Sequence, residues 1–235
     1  SIGFRVGTGV VPIVPAAIIF DLGLLEGKIR PGPEEGYLAC LNTDDNPIEE
    51  GSVGAGTGAT VGKVMGKNLA TKGGLGTASI RLNNLVVGAL AVVNAFGDVV
   101  DPDTGKVLAG PRDEKKQCFF RTVDLLTKPS DSLETQDSIT NTTLVVVATN
   151  ASLNKEQSNK LAQIGHDGMA LAVRPCHSMG DGDVVFALAT GKNDVEVDMK
   201  QLCSMATLVV TQAIVRAVVT AKGLGGIPSA QEAFR

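Results

Sequence analysis

The chain has 235 residues, 43% of them hydrophobic, and its 21 basic and 25 acidic residues give a formal net charge of −4. That length and apolar content suit one well-packed core and exclude a disordered or fibrous chain. With no block of like charge, no Trp and a single Tyr, nothing marks a nucleic-acid surface, and a small molecule or peptide is the expected partner.

The first residues, Ser1-Ile2-Gly3-Phe4-Arg5, carry neither a charged leader region nor an apolar one, and no initiator Met. Residues 4–20 mix Val, Ile and Phe with Gly, Pro12 and Pro15, which predicts an irregular loop running into a short buried strand, Ala17-Ile18-Ile19-Phe20. Residues 21–50 are polar and rich in Gly and Pro, with a short helix expected near 34–41. Residues 51–63 form the densest glycine stretch, whose backbone amides could cradle an anion. Two phosphate motifs fail there. The P-loop pattern ending at Gly62-Lys63 would need Gly where Thr57 stands and Ser or Thr where Val64 stands, and Gly54-x-Gly56-x-x-Ala59 follows no apolar strand. A close-packed turn with Lys63 in solvent is the simpler reading, and Lys72-Gly73-Gly74-Leu75-Gly76-Thr77 has the same status.

Residues 85–93 form a near-continuous Val-rich run that suits a buried strand ending at Asn94, and a hairpin is expected around Asp101-Pro102-Asp103-Thr104-Gly105. Residues 112–140 are dominated by polar and charged side chains, and 128–140 read as a mobile linker or processing loop. At Thr140-Asn141-Thr142-Thr143 this polar run meets the apolar strand 144–148. If the backbone were cut before Thr142, its hydroxyl would share a residue with a free α-amine, which can serve as base for its own nucleophile.

Asn154-x-x-Gln157 opens a helix by capping-box logic, with Leu161, Ile164, Gly168 and Leu171 on one face. His166 falls inside it and reads as structural. Cys176-His177 are adjacent in an extended segment, poor geometry for shared metal ligation, and no Gly-x-Ser-x-Gly elbow supports a triad using His177. Asp181-Gly182-Asp183 precedes the strand 184–189; the pair could share a proton or orient an amine, although an ordinary tight turn explains the pattern as well. A last helix is expected over 198–222. Gln212 and Arg216 near its middle argue for packing in a core and against a membrane span. Cys40, Cys118, Cys176 and Cys203 lack Cys-x-x-Cys spacing, which points to reduced thiols and a cytoplasmic location.

Taken in order, Pro15-Ala16-Ala17-Ile18-Ile19-Phe20-Asp21, Gly54-Ala55-Gly56, Gly62-Lys63, Asn141-Thr142-Thr143 and Asp181-Gly182-Asp183 with Phe186-Ala187 resemble the DmpA-type self-processing aminopeptidases, a family that includes nylon-oligomer and pantetheine amide hydrolases. The likeness runs from near Phe4 to near Gly226. It implies an α+β fold, a four-layer αββα sandwich similar to the N-terminal-nucleophile hydrolases, formed by residues 1–235 as one hydrolase domain. It further implies self-cleavage between Asn141 and Thr142 into parts 1–141 and 142–235 that stay together, commonly as tetramers of the processed pair. By the same resemblance Thr142 is the nucleophile with its new amine as base, Asn94 binds the oxyanion, Lys63 lines the site, and Asp181 and Asp183 orient Thr142. No cofactor or metal is implied.

Two departures from the family stand out. Phe20 replaces a Tyr of several members, and a substantial N-terminal portion of the family precedes the segment matching Phe4. The expected substrate is a small amide: the N-terminal residue of a peptide, an ω-amino-acid oligomer or a pantetheine-like amide. A non-catalytic, binding relative of the same fold is the alternative.

Overall fold

A computed structural model describes residues 3–22, 24, 27–128, 141–193 and 197–234. Its strands are β1 (Phe4–Val6), β2 (Gly9–Val11), β3 (Thr60–Val61), β4 (Thr71–Lys72), β5 (Gly74–Leu82), β6 (Leu85–Asn94), β7 (Asp98–Val100), β8 (Val107–Ala109), β9 (Arg112–Asp113), β10 (Cys118–Phe119), β11 (Thr142–Ala151), β12 (Val173–Arg174) and β13 (Val184–Asn193). Its helices are α1 (Pro33–Leu41), α2 (Thr122–Leu126), α3 (Lys155–Ala172) and α4 (Met199–Val219).

A four-stranded sheet in the order β13-β11-β6-β5 organises the molecule. β5 and β6 form a hairpin whose two-residue turn places Asn83 at φ 54°, the left-handed conformation such turns require. β11 runs antiparallel to β6, with Thr142 opposite Asn94, and parallel to β13, with Leu144 beside Val184. Side chains alternate across a strand, so Val145, Val147, Thr149 and Ala151 of β11 point to one face, where they are buried. The helices α3 and α4 cover that face.

α4 is held there by a stripe at helical spacing: Leu202, Met205, Ala206, Val209, Val210, Ala213, Ile214, Ala217 and Val218 are all buried. Asp198 caps its N-terminus by accepting the Lys200 N–H at 2.9 Å. α4 is long and apolar enough to cross a membrane by composition, yet it packs here as a core helix, and its Arg216 pairs with Glu50 at the surface. Close approach is secured by glycines. A Cβ at Gly76 would strike the α4 backbone at Ala213 and Ala217, and one at Gly168 of α3 would lie 2.6 Å from the Thr207 carbonyl of α4.

The other face of the sheet presents Leu90, Val92, Leu144, Val146, Phe186 and Leu188; Val146 is 38% exposed and Leu188 55%. The described residues therefore supply one helix layer and the sheet beneath it, with part of that sheet's second face exposed and its Val92, Asn94 and Thr142 end buried.

Most expected elements form near their predicted bounds, with three differences. Ala17-Ile18-Ile19-Phe20 is neither strand nor buried: the segment is irregular and Ile18 is 82% exposed. A short apolar run states a demand for burial, and no strand among the described residues pairs with it. The buried face of α3 comprises Leu161, Gly165, Gly168, Met169 and Ala172, whereas Leu171 is exposed. The glycines, invisible to a hydrophobicity pattern, turn that face toward the sheet. Lys63 is buried where a solvated turn was the simpler expectation. The mobile segment expected over 128–140 lies, beyond Lys128, outside the described residues.

Candidate active site around the Asn141–Thr142 bond

The sheet topology gathers this site. Because β6 is antiparallel to β11 and β13 is parallel to it, the C-terminal end of β6 and the N-terminal ends of β11 and β13 meet at one edge. Those ends carry Asn94, Thr142 and the Asp181-Gly182-Asp183 turn. Three segments distant in sequence are thereby brought together at the Asn141–Thr142 bond.

Asn141 forms a parallel bridge with Asp181, and the Gly182 N–H donates to the Asn141 carbonyl at 3.0 Å. The Thr142 hydroxyl lies 2.5 Å from the same carbonyl oxygen. Thr142 is only 3% exposed, so in the uncut chain its Oγ faces its own upstream carbonyl and not solvent. A Cβ at Gly182 would sit 3.1 Å from that Oγ, which makes glycine the residue that leaves room for it.

The two carboxylates bracket this backbone differently. Asp183, with a side chain 3% exposed, accepts the Thr143 N–H on Oδ1 at 2.8 Å. Its Oδ2 accepts the backbone N–H of His177 at 3.0 Å and lies 3.0 Å from the His177 Nδ1 as a close pair. Asp181 is held by Ser178 through the backbone N–H, at 3.1 Å, and the hydroxyl. Burial pushes the Asp181 carboxyl above the ordinary carboxylate range; Ser178 opposes that shift and the neighbouring Asp183 charge adds to it.

Asn94, 1% exposed, has its amide orientation fixed by its partners. Oδ1 accepts Lys63 Nζ at 2.8 Å and the Thr60 N–H at 3.1 Å, so the NH2 points the other way and donates to the Phe20 carbonyl at 3.0 Å. Lys63 Nζ also donates to the Asn94 backbone carbonyl at 3.0 Å. The lysine reaches this position because Gly62, at φ 71°, packs where a Cβ would strike the Gly110–Pro111 backbone, and because the Gly62 and Lys63 amides bond the Gly97 and Phe96 carbonyls. Burial lowers the Lys63 ammonium to about 7, although Asp181 favours its charged form. A lysine in that range can take or give a proton at neutral pH.

An open cleft adjoins this cluster, lined among others by Phe20, Asp21, Thr60, Lys63, Lys67 and Asn94. Thr142 does not line it. Asn94 joins the two, paired with Thr142 in the ladder and facing the cleft. Beside it Lys72, fully buried, donates to the carbonyls of Gly56, Thr57 and Ala59 and holds the glycine-rich loop closed, which is the physical role of that stretch in place of phosphate binding.

Three buried polar atoms have no hydrogen-bond partner among the described residues: Asn141 Oδ1, Thr143 Oγ1 and Asp181 Oδ1. Each such atom costs about 1–3 kcal/mol. Sequence reasoning missed Thr60, Gly182 and His177 as parts of this site. The glycine flanked by two carboxylates was the available signal for Gly182; the partnership of His177 with Asp183 arises from a turn that no periodicity marks.

A model of peptidase family S58 matches residues 4–231. An uncharacterized aminopeptidase of Mycobacterium leprae (strain TN) is 38% identical over 252 residues, covering 94% of this chain and 65% of its own length. A 6-aminohexanoate-oligomer endohydrolase of Paenarthrobacter ureafaciens is 27% identical over 192 residues, covering 81% of this chain and 54% of its own. The solved structure of an L-aminopeptidase D-Ala-esterase/amidase from Ochrobactrum anthropi, described as a variant of the Ntn hydrolase fold, superposes with a TM-score of 0.56 at 22% identity, covering 83% of this chain and 51% of that one. That likeness shows the fold, an α+β architecture of the Ntn-hydrolase type. The chain thus spans between about half and two thirds of the length of these relatives.

Proposed function

The chain belongs to peptidase family S58, and from that premise we propose that it is a self-processing amidohydrolase that cuts its own Asn141–Thr142 bond and then uses Thr142 on small amides or peptides. The observation that carries this reading is the convergence on one carbonyl: the Asn141 oxygen receives the Gly182 N–H at 3.0 Å while the Thr142 hydroxyl lies 2.5 Å from it.

In the first reaction Thr142 Oγ attacks the Asn141 carbonyl carbon and gives up its proton, and Lys63 in its neutral form is the acceptor we assign. The Gly182 N–H stabilises the tetrahedral oxyanion; one such donor is commonly worth about 3 kcal/mol. The C–N bond then breaks, the Thr142 nitrogen gains a proton, and an ester joins the two parts. Water hydrolyses the ester, leaving a carboxylate on Asn141 and a free amine and hydroxyl on Thr142.

In the second reaction the amine acts as base for that hydroxyl, which attacks a substrate amide to form an acyl-enzyme that water resolves. Asn94 is the side-chain donor for the substrate oxyanion in this reading, and Asp181 and Asp183 orient the nucleophile. One N–H of Asn94 is held by the Phe20 carbonyl, so the loop carrying Phe20 adjoins the route by which substrate reaches Asn94. The relatives named as aminopeptidases and as an oligomer hydrolase support an amide substrate bearing a free amine.

Intact mass measurement and a denaturing gel test the reading. Two pieces meeting between Asn141 and Thr142 are expected, with Thr142→Ala giving one piece and no amide turnover. A single uncut chain with undiminished amidase activity would refute it.

A further inference from the structure

We propose that His177, backed by His166, is a positioning residue for the nucleophile, acting through Asp183. This rests on the reading of Thr142 as that nucleophile. Asp183 accepts the N–H of the residue that follows Thr142 and the backbone N–H of His177, and the His177 ring pairs with the same carboxylate, Nδ1 lying 3.0 Å from Oδ2. The contacts form an unbroken series. His166 Nδ1 lies 3.2 Å from His177 Nε2 with the rings edge to face at 4.8 Å, His177 Nδ1 lies 3.0 Å from Asp183 Oδ2, and Asp183 Oδ1 lies 2.8 Å from the Thr143 nitrogen.

The chemistry of each atom fixes the protons. The Thr143 and His177 backbone groups can only donate, so the carboxylate serves as an acceptor on both oxygens. The third contact then requires His177 to carry a proton on Nδ1. In the neutral ring Nε2 is left as an acceptor, and His166 completes it by donating from Nδ1. His166 therefore selects the tautomer of His177 that grips Asp183. The backbone points the same way. His177 sits at φ 54°, an uncommon conformation for a residue with a Cβ, and Asp183 holds it there by bonding its N–H and its ring together.

The other ionisable groups facing this series are Asp181 and Cys176, from the same segment before β13, and Asp167 from α3. Burial, and then the Asp183 charge, push the Cys176 thiol up, which keeps it uncharged. Burial, and then His177, push His166 down, so the dyad enters the neutral range without a full positive charge on its helix member. His177, with a side chain 40% exposed, is the end of the series that meets solvent.

Substitution can separate backbone, donor and relay. Glycine accepts the left-handed conformation and removes the ring; asparagine also tolerates that conformation and places an amide N–H where Nδ1 stood. In the purified protein His177→Gly is expected to slow self-cleavage about tenfold, as a small displacement of the nucleophile does. His177→Asn is expected to restore most of the rate, and His166→Phe to slow cleavage less than His177→Gly does. A His177→Gly protein that cleaves at the wild-type rate, or a His177→Asn protein no faster than His177→Gly, overturns the proposal while leaving the nucleophile assignment intact; a wild-type chain that never cleaves removes that assignment instead. Should the glycine variant fail to fold, 15N-labelled histidine spectra decide, since the chain has two histidines: a proton on Nδ1 of His177 near neutral pH supports the proposal, and a proton on Nε2 alone refutes it.

Discussion

Lys63 is the residue whose burial has the clearest chemical cost. Holding its ammonium at about 7 means that the folded state binds that proton less tightly than the unfolded chain, where a lysine titrates near 10.4. Between about pH 7 and pH 10 the unfolded state therefore carries more protons, and stability rises with pH across that window. Below about 7 the full penalty is present. Lys63→Met is expected to gain less stability between neutral and alkaline pH than the parent protein, as denaturant unfolding at the two pH values would show. In the same variant self-cleavage should fall at least tenfold, and the parent rate should climb as pH passes about 7 if the neutral amine takes the Thr142 proton; a rate flat through that region would contradict the role. At this scale the sequence was partly legible. Asn94, Thr142, Asp181 and Asp183 lie at adjoining strand ends and Lys63 bonds Asn94, a placement that the ordered set of short motifs anticipated, while their roles belong to the proposal. His177 and Thr60 were not legible, since each is tied to the cluster by a backbone N–H to a distant side chain, which no periodicity marks.

At the scale of elements, legibility followed the strength of the periodic signal. β6, β11, β13 and α4 are long, apolar and bounded by clear breakers, and each forms near its expected limits. The apolar 17–20 run and the face of α3 were misread for one reason: hydrophobicity states what seeks burial and leaves open what it meets. α3 meets the sheet and α4 through Gly165 and Gly168. A Cβ at Gly168 would lie 2.6 Å from the Thr207 carbonyl and 2.9 Å from Val210 Cβ, and the Gly168 carbonyl itself accepts the Thr211 hydroxyl at 2.9 Å. Alanine at an exposed mid-helix site would add roughly 1 kcal/mol of helix propensity. Here the backbone carbonyl cannot yield without moving a helix, so overpacking of about 1–3 kcal/mol outweighs that gain. Gly168→Ala is expected to lower Tm by a few degrees, and the opposite sign in a thermal melt would mean that the two helices separate more readily than their packing indicates.

For the whole molecule, the place of the proposed cut within the topology decides what cleavage does. Residues before the bond contribute β5 and β6; residues after it contribute β11, β13, α3 and α4. β11 lies inside the sheet between β6 and β13, and its antiparallel register with β6 runs from Thr142–Asn94 to Thr149–Val87. α4, from the downstream part, covers β5 and β6 from the upstream part and buries Val209, Val210, Ala213, Ile214 and Ala217 in the same core as Val87, Ala89 and Ala91. Breaking one peptide bond at the sheet edge removes none of these contacts. The side chains concerned are each worth roughly 1.5–3 kcal/mol of burial when large and apolar, so the two parts should remain one folded body and dissociate only as the core unfolds. Cleaved protein is therefore expected to elute from native size exclusion at the volume of the uncut Thr142→Ala variant and to resolve into two chains only in denaturant. Separation of the two parts under native conditions would mean that the β6–β11 ladder and the α4 packing are weaker than the buried core they share.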